Sequence, residues 1–110
     1  MASPIAAADL ESYRWKNRLL IVSFADCERR DAFERTWPGA ASGSRERDLV
    51  VLRADADLRR SLGWPENANK VRLIGKDGTM KAEWERPPEP SAVFAIIDAM
   101  PMRQSEAKRP

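Results

Sequence analysis

The sequence predicts an α/β domain with the element order β-α-β-(α)-β-β-α. It implies a mixed central sheet of about four strands with helices on both faces. Three observations carry the prediction. "RLLIVSF" (18–24) is a continuous apolar run of strand length and "RDLVVLRA" (47–54) a second buried-strand candidate, the two separated by a segment of helical character. Lys76-Asp77-Gly78 lies between two stretches of extended pattern, "KVRLIG" (70–75) and "TMKAEWE" (79–85). Near the end, "SAVFAIIDAM" (91–100) places Val93, Ile96, Ile97 and Met100 on one helical stripe.

Each element has a local reason. Residues 1–12 are small and weakly patterned and read as a flexible lead; a single domain is expected over 13–106 and a frayed tail over 107–110. After the first strand, Asp26 is an N-cap candidate, Phe33 and Trp37 share one helix face, and Pro38-Gly39 ends the helix. "AASGSRE" (40–46) reads as a loop by composition. "DADLRRSLG" (55–63) is a short helix with Leu58 and Leu62 on one side, stopped by Gly63. Asp77-Gly78 signals a tight hairpin in which both central residues take positive φ. "RPPEP" (86–90) is a rigid linker. Pro101 has no N–H and clashes with the carbonyl four residues back, so the last helix ends or kinks near Met100. A turn there is expected to pack Met102 elsewhere and aim Arg103 back at the domain, towards Asp77 or Asp98. This order is the plan of a minimal thioredoxin-like domain. A split-βαβ arrangement would need a final strand, and "RQSEAKRP" makes a poor one.

Composition narrows the function classes. The chain has 110 residues, a net charge of +2, one cysteine and no histidine. Histidine catalysis, a histidine metal site and an intramolecular disulfide are therefore excluded, and no metal or cofactor is expected. Arg45, Arg47, Arg53, Arg59 and Arg60 are interleaved with Glu46, Asp48, Asp55 and Asp57, with no aromatic among them. That is the pattern of a solvated face, and nucleic acid is a weak partner class. No apolar run has the length of a membrane span. If Met1 is the native start, the expectation is a cytoplasmic protein. If the sequence is a trimmed mature form, it is an exported one. Oligomeric state is left open.

Four stretches, "YRWKNRLLIVSF" (13–24), "RERDLVVL" (45–52), "LIGKDGTMK" (73–81) and "IIDAMPMRQSE" (96–106), resemble domain-of-unknown-function family 4174. That family is also described as peroxiredoxin-like. It occurs alone in bacteria and inside vertebrate sushi-repeat and related extracellular matrix proteins. The resemblance implies a thioredoxin-like fold without a demonstrated activity. It makes a non-catalytic binding module with a protein partner the leading expectation. Its candidate contact residues are Lys76 and Asp77 in the hairpin and Met102, Arg103 and Gln104 after the helix break. The alternative is a single-cysteine redox enzyme centred on Cys27, which falls near the start of the first helix, where backbone N–H groups favour a thiolate. No second cysteine stands at Arg30, so dithiol exchange is excluded, and Phe24 occupies the position of the peroxiredoxin threonine. The structural reading of the same features is a tight turn for "GKDG", an incidental thiol for Cys27, and partly buried packing for Trp15, Trp37, Trp64 and Trp84.

Overall fold

The computed structural model describes residues 3–5 and 7–107. Five strands form one mixed sheet in the order β1-β3-β2-β4-β5. They are β1 Ser3–Ile5, β2 Arg18–Phe24, β3 Leu49–Ala54, β4 Asn69–Ile74 and β5 Met80–Trp84. β1, β3 and β2 run parallel, β4 lies antiparallel to β2, and β5 lies antiparallel to β4. The helices are α1 Cys27–Thr36, α2 Ala41–Glu46, α3 Ala56–Leu62, α4 Pro90–Asp98 and α5 Pro101–Ala107. This is a mixed α/β architecture compatible with a thioredoxin-like fold. The four strands read from the sequence are β2 to β5.

β2 is the central strand, and its alternation builds the two halves of the core. Leu20 and Val22 face one layer with Phe33 and Trp37, Leu49, Val71, Leu73, and Val93 and Ile97 of α4. Leu19 and Ile21 face the other with Leu52, Ala54, Leu58 of α3, Trp64 and Ile74. A strand buried on both faces reads as one continuous apolar run, which is why "RLLIVSF" shows no period of two. The caps follow local chemistry. Asp26 accepts from the Glu28 N–H at 2.8 Å, and Asp55 from the Leu58 N–H at 2.8 Å. Gly63 closes α3 in the left-handed region at φ 75°.

Several expectations need correction. The "AASGSRE" segment is not a loop: Ala41–Glu46 forms α2, after a 3-10 turn over Pro38–Ala40. Tertiary packing overrides composition there, with Gly43 set so closely against Phe94 that a Cβ would lie 2.7 Å from its ring. Of the hairpin's two central residues, only Gly78 takes a positive φ, at 85°, while Asp77 does not. The turn instead closes with Gly78 N–H donating to the Gly75 carbonyl at 3.0 Å, and Gly78 absorbs the left-handed step. Trp37 and Trp64 are buried, at 4% and 5% exposure, rather than at a half-buried edge, and Trp15 is 60% exposed. Within the segment read as a lead, β1 pairs with Leu52–Ala54 and a 3-10 helix spans Ala7–Tyr13. After Pro101 the chain starts a second helix, with Met102 left 42% exposed rather than packed. Residues 108–110, part of the expected frayed tail, lie outside the described residues.

Candidate functional site at the hairpin end of the sheet

The sheet has two chemically distinct ends. In the β2–β4 pairing, Leu19 stands opposite Ile74 and Phe24 opposite Asn69. The Gly75–Gly78 turn therefore lies at the Leu19 end, and α1 with Cys27 starts from the Phe24 end. Five residues of strand separate the ends, about 17 Å.

At the hairpin end, four segments distant in sequence bring charges together. Arg18 opens β2 and is 1% exposed. Its guanidinium donates to the Arg47 carbonyl at 2.8 Å and to both Glu106 oxygens, at 3.2 and 3.4 Å. Lys76, at the hairpin turn, sends its Nζ to Asp48 Oδ2 at 2.9 Å and Glu106 Oε2 at 2.7 Å. Asp48 holds the left-handed φ of 52°, tolerable for aspartate, and its carbonyl caps β2 by accepting the Arg18 N–H at 2.9 Å. Burial pushes the Glu106 carboxyl up, but the hydrogen bonds and charges of Lys76 and Arg18 together outweigh it and hold it below the usual range.

A second, adjoining set joins α4, α5 and α2. Arg47 binds Asp98 through two bonds of 2.9 Å and lies 4.3 Å from the Phe94 ring centre. Arg103 reaches Asp98 Oδ1 at 3.4 Å, Glu46 Oε1 at 3.2 Å and the Glu46 carbonyl at 3.3 Å. The Arg47 hydrogen bond is the main reason Asp98 sits below its ordinary pKa. On the turn, the Thr79 N–H and hydroxyl and the Lys81 ammonium bring Asp77 down to about 2.

The candidate contact residues thus divide. Lys76 and Arg103 point inward and are 9% exposed, while Asp77, Met102 and Gln104 face the surface. Arg103 meets Asp98, one of its two expected partners, and not Asp77. Arg18, Asp48 and Glu106 were missed as site residues. The available signal was the placement of Arg18 at the head of a fully buried run, since a charge there demands a partner. A groove of about 270 Å³ opens beside the cluster, lined by Arg18, Lys76, Lys81, Met100, Pro101 and Met102 among others.

At the opposite end, Cys27 is the first residue of α1 and is exposed, with Arg30 Nη2 3.3 Å from its Sγ. The basic set is scattered: Arg47 is tied to Asp98, Arg60 pairs with Asp57, and Arg59 donates to the Ala54 carbonyl. Among the described residues, no cluster of three or more acidic, cysteine or histidine side chains could hold a metal. No helix among them is long and apolar enough to cross a membrane.

Fold and site together define a mixed α/β domain whose hairpin turn and α5 are joined by partly buried ion pairs. Residues 54–106 match the family model described as Domain of unknown function (DUF4174), so the family resemblance is borne out over that segment. It contains the hairpin turn, α4 and Glu106; Cys27 and Arg18 lie outside it. A search of curated proteins finds no match.

Proposed function

We propose that the chain is a non-catalytic interaction module built on a thioredoxin-like domain, with the hairpin end of the sheet as its protein-contact surface. One observation carries this reading. Among the described residues, the exposed large hydrophobics Trp15 (60% exposed), Met80 (57%) and Met102 (42%) all lie around the same turn. The Trp15 N–H donates to the Lys76 carbonyl at 2.6 Å, Met80 pairs with Ile74 just outside the turn, and Met102 shares the groove with Lys76 and Asp77. Single exposed apolar residues need no explanation, but a group around one rigid feature is the composition of a contact site. Tryptophan supplies a large anchor at low entropy cost, and methionine adapts to irregular partners. Partly buried ion pairs beneath join the turn to α5. The test is site-specific photocrosslinking from position 80 or 102, with position 66 at the far end as control. The reading expects one protein species captured from 80 and 102 and lost in Trp15→Ser. Equal capture from all three positions, or none, rules it out.

A second reading rests on Cys27, exposed at the start of a ten-residue helix with a guanidinium beside its sulfur. It makes the chain a monothiol redox protein, with the Phe24 end as its working end. A thiol-specific reagent at neutral pH should then label Cys27 faster than free cysteine. Labelling no faster than free cysteine, with no peroxide-driven sulfenic acid, ends this reading without touching the first.

A further inference from the structure

We propose that Arg18 and Lys76 form a carboxylate receptor, filled in this conformation by the chain's own Glu106 and in a bound one by an acidic peptide segment of a partner. The inference rests on the interaction-module reading and supplies the chemistry of the partner. Three features support it.

The receptor is preorganised without Glu106. Arg18 is positioned by the Arg47 carbonyl at 2.8 Å, and Lys76 by Asp48 at 2.9 Å. Both cations are almost wholly desolvated, at 1% and 9% exposure, so a carboxylate that reaches them meets charge-assisted donors in a low-dielectric setting. The Nε of Arg18 has no hydrogen-bond partner among the described residues, so the site has donor capacity that Glu106 leaves unused.

Glu106 pairs with Arg18, Lys76 and Arg103, but the helix that carries it has little apolar attachment. Of the α5 side chains, Arg103 and Glu106 turn inward, while Pro101, Met102, Gln104 and Ser105 are exposed. No described α5 side chain belongs to the hydrophobic core. A helix attached mainly through ion pairs leaves at a lower free-energy cost than one attached through buried apolar area.

The receptor also has an approach. Arg18, Lys76 and Lys81 all line the groove that Met100, Pro101 and Met102 wall on the α5 side. The one carboxylate on that lining, Asp77, is already engaged by Thr79 and Lys81. An entering acidic segment therefore meets cations at the floor and flexible thioethers at the wall, which suits alternating acidic and apolar side chains.

The experiment measures binding of a fluorescein-labelled Glu-Leu-Glu-Glu-Leu-Glu peptide to the full chain by anisotropy, with a Gln-for-Glu peptide as control. Glu106→Gln removes the internal competitor and is expected to bind the acidic peptide about tenfold tighter than wild type, as for a site open about a tenth of the time. Adding Lys76→Met to that variant should abolish the gain, and the control peptide should bind neither. Equal affinity for wild type and Glu106→Gln, or no binding to either, overturns the proposal. Should Glu106→Gln fail to fold, hydrogen exchange of the wild-type α5 amides decides. Saturating acidic peptide accelerates it if Glu106 is displaced, and an unchanged rate refutes the receptor. Persistent crosslinking from positions 80 and 102 without acidic-peptide binding would leave the module reading standing and remove only the receptor.

Discussion

The two glycines of the hairpin are present for different reasons, and replacing each by alanine separates them. Gly78 takes φ 85°, where an L residue costs about 1–2 kcal/mol. Its Cβ would stand 3.4 Å from Arg14 Nε, an ordinary contact, so the cost is conformational. Alanine also stiffens the unfolded chain, which offsets about 0.4–1 kcal/mol. Gly78→Ala is therefore expected to lose about 1 kcal/mol of stability. Gly75 has no positive φ, and its Cβ would fall 2.6 Å from Lys81 Cε, the far end of a flexible side chain. Moving Lys81 sacrifices its surface pair with Asp77, worth about 0.2–1 kcal/mol, and Asp77 Oδ1, 3.2 Å from the new Cβ, must give by a few tenths of an ångström, against the same unfolded-state gain. Gly75→Ala should be close to neutral. Urea melts with a shared m value measure both. If Gly75→Ala costs as much as Gly78→Ala, backbone conformation is not what the turn demands.

Further predictions concern the caps and charges. Asp55→Ala removes the bond to the Leu58 N–H and should cost about 1 kcal/mol in chemical denaturation. Trp37→Phe leaves the buried Pro88 carbonyl without its indole donor at 3.0 Å, and a loss of about 1–3 kcal/mol is expected in the same assay. Glu106 has a folded pKa below its ordinary value of 4.5, so its stabilisation is complete above that pH and is lost as the pH falls through the folded pKa. Urea melts from pH 6 down to pH 3 should therefore fall less steeply for Glu106→Gln than for wild type, and parallel curves would show that the pairing contributes nothing.

Strand and helix order was legible because burial writes itself into composition. β2 is buried along nearly its whole length, so its run is almost continuously apolar, and Leu58, Leu62 and Gly63 mark α3 by spacing and by its stop. The α2 helix was not legible because Gly43 and Ser44 carry no helical preference, and the helix exists through contacts of Gly43 and Arg47 with Phe94, fifty residues on. At the site, the prediction that Arg103 turns back to Asp98 held because it follows from a proline break and local geometry. The Arg18–Lys76–Glu106 cluster was not legible. Its members are 58 and 30 residues apart in sequence, and only the pairing of β2 with β4 and the packing of α5 bring them together.

The oddest stretch of the sequence, Met100-Pro101-Met102-Arg103-Gln104, is explained by where Glu106 has to point. On a continuous helix, Glu106 lies thirteen residues beyond Val93, and at 100° per residue that is about 140° away from the buried stripe. An unbroken α4 would thus carry Glu106 towards solvent and leave Arg18 and Lys76 without their shared anion. Lys76 would keep Asp48, but nearly desolvated Arg18 would be left with the Arg47 carbonyl and no carboxylate, which is destabilising. The break avoids this. Met100 N–H closes a tight turn to the Ile97 carbonyl at 2.9 Å, Pro101 starts α5, and the Gln104 N–H then reaches back to the Met100 carbonyl at 3.0 Å. Proline suits the first helical position because its fixed φ matches and its missing N–H would have lacked an intrahelical partner there. The redirected helix turns Arg103 to Glu46 and Asp98 and Glu106 to Arg18 and Lys76, leaving Met102 on the outer side of the groove. One proline thereby fixes both the ion-pair lock and the exposed thioether, which ties the domain's stability and its proposed contact surface to the same turn of chain.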